Sequence, residues 1–332
     1  MIQVGIIGLG GMGSTHFGCY KNNPQAEIVA VCDVDEAKLS GGGAVELNIG
    51  ATAAIDLTGI KTYTNAQDLI ADPNVQLVDI CLPTPLHAEA TIAALQAGKH
   101  VFCEKPIALT EAEGAAMEAA KIASGKQLMI GHCLRFWPQY LRAHNIIAGG
   151  EFGRPLYARF HRAGATPLWS WDGWLADGPR SGGAVLDMHI HDADTALWWF
   201  GAPQSIVADG TILDGLPMSV DATWRYESGL VASLHGSWDN NGGAFCMAYK
   251  VVLETATVEW DSSKGEIVLV HSGGHTHEIA VPNDFAYQAE IDDFVDCVLE
   301  GRPMRRVTVA GSRQTLAFVL EELRQIKEKC GA

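Results

Sequence analysis

The stretch GGAVLDMHIHDADTALWWFG, residues 182–201, sets Asp187, His189, His191, Asp192 and Asp194 within eight positions. Three chemistries suit such a set: a metal centre, an acid–base pair, or the polar rim of an ordinary helix. Apolar residues at 186, 190, 193, 197 and 200 give a helical spacing. On a continuous helix Asp187 and His191 are i and i+4 and share a face, while His189, Asp192 and Asp194 point elsewhere. A metal wants three or four converging ligands, and paired histidines two apart chelate from a strand rather than a helix. The only other histidine-rich patch, HSGGHTH at 271–277, falls in an expected hairpin, so no metal is expected. An acid–base pair needs only one carboxylate beside one imidazole, which titrates near neutrality. That reading and the incidental helix rim both stand on the residues alone.

Elements elsewhere in the chain must position this segment. Up to residue 130, short apolar runs (IQVGIIG, EIVAVCD, VQLVDICLP, HVFCEKP, QLMIG) alternate with helical patterns such as HAEATIAALQAG and TEAEGAAMEAAKIAS. Alternation of this kind gives parallel strands with crossover helices, a doubly wound α/β sheet. The segment 40–60 resists assignment because its glycines weaken any helix. After about residue 150, segments such as PLYARFHRA, LVASLHGSW, MAYKVVLET and ATVEWD are β-type and separated by turn residues. They imply a second, α+β domain with a large, mostly antiparallel sheet. Two helical patterns close the chain, and the expected domains are 1–130 and 131–332.

A chain of 332 residues, 48% hydrophobic and 19% charged, has the length and composition for two packed cores. A net charge of −16 argues against nucleic acid or anionic membrane as partners. No window has the length and apolarity of a membrane span, and MIQVGIIGLGGMG lacks the basic region of a signal peptide. Eight scattered cysteines without a CxxC pair fit buried thiols in a reducing cytoplasm rather than a disulfide framework.

GLGGMG places Gly8, Gly10 and Gly13 in GxGxxG spacing, with Gly11 and Met12 between, after one strand and opening one helix. Gly8 permits the tight turn, Gly10 admits a pyrophosphate to the backbone, and Gly13 lets helix and strand pack closely. Asp33 ends the second strand, where a carboxylate accepts hydrogen bonds from ribose hydroxyls. It would repel a 2′-phosphate, which favours NAD, while the nearby Lys38 leaves NADP open.

GLGGMG, LPTPLHAEA, EKP and GGAVLDMHIHDAD, in that order, resemble the Gfo/Idh/MocA family of sugar and polyol oxidoreductases across essentially the whole chain. The resemblance implies an N-terminal Rossmann sheet followed by an α+β domain that binds substrate and makes a homodimer or homotetramer. It implies that Lys105 of EKP lies beside the nicotinamide and the reacting carbon, with Glu104 bracing it. Pro83, Thr84 and His87 match a loop that runs along the dinucleotide. Asp187 and His191 complete the catalytic set with Lys105: His191 as general base for alcohol oxidation, Asp187 orienting it or a neighbouring hydroxyl.

Arg135 matches a family arginine near the substrate, and Arg162 and Arg180 are further candidates. Trp169, Trp171 and Trp174 occupy a long loop before the catalytic segment and suit sugar rings, which stack C–H faces on indole. Trp169 and Trp174 are carried as substrate candidates against a core or subunit-contact role. His189 either reaches the substrate or caps a neighbouring strand. The resulting expectation is an NAD(P)-dependent dehydrogenase acting on a secondary hydroxyl of a sugar or cyclic polyol. A glycosidase or epimerase of the same family, oxidising its substrate only transiently, is the alternative. A non-catalytic dinucleotide sensor is disfavoured by the presence of both Lys105 and His191.

Overall fold

The computed structural model describes residues 1–40, 46–47, 50–51, 55–238, 244–282 and 285–331, so much of the glycine-rich stretch 40–60 lies outside the described residues. The chain divides into two units, Met1–Cys133 with Phe285–Arg313, and Leu134–Asp284 with Gln314–Ala332.

The first unit begins β1 (Ile2–Ile7), α1 (Gly11–Asn22), β2 (Ala26–Cys32), a two-stranded ribbon of β3 (Glu46–Leu47) and β4 (Gly50–Ala51), and β5 (Lys61–Tyr63). It continues α2 (Ala66–Ala71), β6 (Leu77–Ile80), α3 (His87–Gln96), β7 (His100–Glu104), α4 (Glu111–Ser124) and β8 (Leu128–Gly131). Six strands form one parallel sheet in the order β5-β2-β1-β6-β7-β8. Helices cover such a sheet on both faces, so β6 and β8 are buried along their whole length and read as continuous apolar runs. The chain direction of assembly reverses between β1 and β6, and ligands bind such sheets beyond the carboxyl ends of the strands at that point.

The second unit carries α5 (Pro138–Gly149), β9 (Pro155–Ala163), α6 (Gly178–Ser181), α7 (Gly183–Asp187) and α8 (Ile190–Phe200). Seven further strands follow: β10 (Ser205–Leu213), β11 (Leu216–Arg225), β12 (Val231–Ser237), β13 (Cys246–Leu253), β14 (Ala256–Asp261), β15 (Ile267–Ser272) and β16 (His275–Ala280). They form an eight-stranded sheet, β10-β11-β12-β9-β13-β14-β15-β16, antiparallel except between β12 and β9. Alternation along β9 sends Ala158, Phe160 and Arg162 inward and leaves Tyr157 and Arg159 exposed. Tyr140 of α5, Trp199 of α8, and Tyr249 and Trp260 of the sheet fill the inner layer, with ring centroids 5.1–6.1 Å apart.

Two helices end the chain, α9 (Ala286–Glu300) and α10 (Val309–Cys330). The α/β class and the two contrasting sheets are those the sequence implied. A boundary at 130/131 leaves α9 in the second domain, whereas its residues cluster with the first unit. The cause is its apolar stripe: Phe294 meets Phe102 of β7 edge-on at 5.6 Å, and Asn23 at the end of α1 donates to Asp292 at 2.6 Å. No described helix is long and apolar enough to cross a membrane, and none of the eight described cysteines is in a disulfide.

Candidate active site

The glycine turn is built by contacts that a side chain would prevent. Gly8 has φ +93°, and a Cβ there would stand 2.5 Å from the Cys81 carbonyl oxygen; one at Gly13 would stand 1.8 Å from the Gly8 carbonyl oxygen. Gly10 differs: a Cβ there would meet nothing within 4 Å, so open space lies beside this part of the backbone. Gly10 caps α1 without a side-chain hydrogen bond among the described residues. The amides of Gly11, Met12 and Gly13 therefore begin a helix that offers its first-turn donors to an anion. This cradle fits the diphosphate of a dinucleotide.

Asp33 is buried at the end of β2. Its Oδ2 accepts the Leu9 amide at 2.7 Å and lies 3.3 Å from Lys38 Nζ, while Oδ1 accepts the Asp35 amide at 2.9 Å. One carboxylate thus locks the glycine turn to the second strand. Lys38 partly neutralises it.

Pro83 starts a single helical turn at Thr84–Leu86, just past β6, and Thr84 is buried. His87, expected along the dinucleotide, is instead buried behind this loop. Its Nδ1 lies 2.8 Å from the Pro106 carbonyl oxygen and its Nε2 2.8 Å from the Leu82 carbonyl oxygen. The ring therefore ties the loop after β6 to the EKP segment after β7. Burial pushes its pKa below the ordinary histidine value, against the pull of the two carbonyls.

Glu104, expected to brace Lys105 and to contact the cofactor, ends β7 and is buried. Its Oε2 accepts the Lys105 amide at 3.0 Å, and its Oε1 lies 3.2 Å from His16 Nε2. Burial works against its charge, but His16 and the Lys105 ammonium outweigh that and hold its pKa below the usual range. Lys105 itself is half-buried and precedes a cis peptide to Pro106. His16, Asp79 and Glu290, which complete this interior cluster, escaped the sequence reading. The available signal was Asp79 in a strand otherwise wholly apolar, since a buried charge demands a partner.

In the second unit the segment 182–201 is not one helix. A turn at Met188–His189 separates α7 from α8, and the His189 amide reaches back to the Ala184 carbonyl at 2.8 Å. Gly182 and Gly183 have φ +71° and +65°, and a Cβ on Gly183 would stand 2.2 Å from the Pro217 carbonyl oxygen. These glycines let α7 press against β11.

Three of the five polar residues are then consumed by buried partners. Asp192 holds Arg162 through two contacts of 3.0 Å, and Asp194 holds Arg135 through two of 2.8 Å and accepts from Thr315 at 3.0 Å. Arg135, expected near substrate, is thus committed to a buried bidentate pair. His189 is fully buried with its Nε2 2.8 Å from Glu322 Oε2, and Glu322 also accepts from Trp224 at 2.5 Å. Burial opposes charge on His189, but Glu322 outweighs it and raises the pKa. This interior placement argues against His189 as a substrate contact. Between Ser181 and Leu197, Asp187 and His191 alone are not buried.

The tryptophan loop divides similarly. Trp169 and Trp171 are 55% and 50% exposed, whereas Trp174 is partly buried and packs against the core cluster of Leu175, Ala184, Met188, Leu216 and Trp238. Arg180 pairs with Asp172 at 3.1 Å.

Residues 2–132 match the oxidoreductase family described by its NAD-binding Rossmann fold, and residues 140–259 match the Gfo/Idh/MocA C-terminal domain. The chain is similar to 1,5-anhydro-D-fructose reductase of Ensifer adhaerens, 36% identical over 54% of this chain and 55% of that protein. It is similar to inositol 2-dehydrogenase of Salmonella paratyphi B, 33% identical over 59% of this chain and 54% of that protein. The chain spans about half the length of these curated relatives. Among solved structures, a probable dehydrogenase from Thermotoga maritima superposes with a TM-score of 0.80 at 26% identity, covering 99% of this chain and 97% of that one.

Proposed function

The chain belongs to the Gfo/Idh/MocA family of oxidoreductases, and from that premise we propose that it is an NAD-dependent dehydrogenase acting on a secondary hydroxyl of a sugar or cyclic polyol. The observation that carries the reading is that Asp187 and His191 stay accessible on a segment whose other acids and histidine are locked into buried pairs. NAD held by the glycine turn supplies the hydride acceptor.

The chain's own residues supply the remaining work. His191 takes the hydroxyl proton, and Asp187 orients His191 or a neighbouring hydroxyl. Lys105 donates a hydrogen bond to the substrate oxygen as it becomes a carbonyl and stabilises the charge that develops there. Asp33 would accept from the adenosine ribose of a bound dinucleotide. Trp169, exposed on its loop, offers a face for the C–H side of a ring. The names of the two curated relatives support a sugar-derived or inositol-type substrate.

The open face of the eight-stranded sheet supports a homodimer or homotetramer, since it presents Tyr157 and the stacked pair His161 and His235, with ring centroids 5.0 Å apart. The reading is tested by NADH formation across inositols, aldoses, sugar acids and glycosides, beside Lys105→Ala. Signal with one ring class, abolished in the variant, is expected. Turnover of a glycoside without added NAD would replace it with transient oxidation.

A further inference from the structure

We propose that His16 and Glu290 are positioning residues for Lys105: an imidazolium at His16 and an un-ionised Glu290 keep Glu104 turned to the Lys105 amide. The inference rests on the reading of Lys105 as the group that stabilises the substrate oxygen.

The three side chains come from α1, β7 and α9, all within the first unit, and His16 and Glu290 are fully buried. His16 lies between two carboxylates, with Nδ1 2.9 Å from Asp79 Oδ2 and Nε2 3.2 Å from Glu104 Oε1. A carboxylate oxygen within 3.2 Å of each ring nitrogen favours a positive charge on the ring, the Glu104 contact being an ion-pair approach without hydrogen-bond geometry. His16 is then cationic and, with Asp79 and Glu104, leaves one net negative charge. The Lys105 charge also favours the ionised form of Glu104.

Glu290 approaches the same place. One of its carboxylate oxygens, His16 Nε2 and a Glu104 oxygen lie within 4.8 Å of one another, and neither Glu290 oxygen has a hydrogen-bond partner among the described residues. A second net negative charge in this buried cluster would repel Glu104 and compete with it for His16. Burial and the charge of Glu104 push Glu290 well above the usual carboxylate range, so it stays neutral. Burial alone would lower His16, yet the Asp79 carboxylate, 2.9 Å from Nδ1, pulls the other way and the pKa is raised.

The other titratable groups facing His16 are Cys19 and Tyr20 of its own helix, Cys81 after β6 and Tyr287 of α9. Burial raises all four, so none is charged near neutrality. The consequence reaches Lys105 through its amide, which donates to Glu104 Oε2 at 3.0 Å. Without His16 the buried carboxylate loses its cation, takes up a proton or turns, and the lysine main chain loses its acceptor.

The test uses the full chain and does not depend on turnover. In ¹⁵N-histidine-labelled protein, the His16 ring, identified by its loss in His16→Gln, should show the imidazolium signature from pH 6 to pH 8. A neutral tautomer at pH 7 overturns the proposal. Infrared spectra should show the carbonyl stretch of an un-ionised carboxyl that Glu290→Gln removes; a carboxylate band lost instead overturns it. In ¹⁵N-lysine-labelled protein, the Lys105 amide signal should move in His16→Phe, and an unmoved signal overturns the link.

Stoichiometric zinc or manganese on elemental analysis would also overturn it, because the same atoms would then be metal ligands. With an active substrate in hand, His16→Phe should lower kcat at least tenfold with KM within threefold, and unchanged kcat overturns the positioning role. Absence of any polyol oxidation by the unmodified enzyme, with these spectra as expected, would instead sink the dehydrogenase reading and leave the cluster standing.

Discussion

Asp192→Ala separates the structural aspartates from the catalytic one. The change removes a carboxylate that meets Arg162 through two contacts of 3.0 Å, on a side chain only 4% exposed. What the structure shows beside it are a neutral tyrosine hydroxyl at 3.2 Å from Tyr140 and the Met247 sulfur at 3.2 Å. Breaking a buried ion pair from one side costs about 3–5 kcal/mol. At about 2–4 °C per kcal/mol for a unit of this size, the melting midpoint should fall by about 10 °C. Removing both charges, as in Asp192→Ala with Arg162→Met, should recover most of the loss, because an apolar replacement of the pair is nearly neutral. Calorimetry on the single and double variants reads both numbers. A single variant within a degree of the parent, or a double variant no better than the single, would refute the reasoning.

Gly13→Ala should abolish NADH binding by fluorescence titration, since its Cβ would stand 1.8 Å from the Gly8 carbonyl oxygen; retained affinity would mean that the turn yields. Trp174→Ala should cost about 2–4 kcal/mol from the core it packs against, while Trp169→Ala should leave the urea midpoint in place and raise the substrate KM. The His189–Glu322 pair raises the His189 pKa in the fold. Its contribution to stability is therefore complete below about pH 6.5 and is lost as pH rises through the raised value. His189→Gln should flatten that alkaline decline in a series of urea melts, and a decline of the same slope in the variant would contradict the assignment.

The first sheet was legible because parallel strands buried on both faces write their own apolar runs, as in IQVGIIG and QLMIG. Strand β10 was not read: it lies at the sheet edge, mostly exposed, with Asp209 and Gly210 interrupting its alternation. Spacing singled out Asp187 and His191 as an i,i+4 pair, yet it assumed a continuous helix where the chain turns at Met188–His189. Nor could spacing show that Asp192, Asp194 and His189 had partners in Arg162, Arg135 and Glu322, the last of these 133 residues away. The same limit hid His16 and Glu290, whose meaning lies only in each other and in Glu104. Helix α9 read correctly as a helix, but its packing against α1 is a long-range contact that local periodicity does not encode.

The most direct measurement is steady-state NADH formation by His191→Ala beside the unmodified enzyme, on whichever ring class the substrate panel identifies. A general base of this kind contributes about 10²–10⁴-fold, so kcat should fall by that factor while NADH affinity and the melting midpoint hold. Near-parental turnover in His191→Ala would contradict the central claim that the accessible Asp187–His191 pair carries the proton transfer.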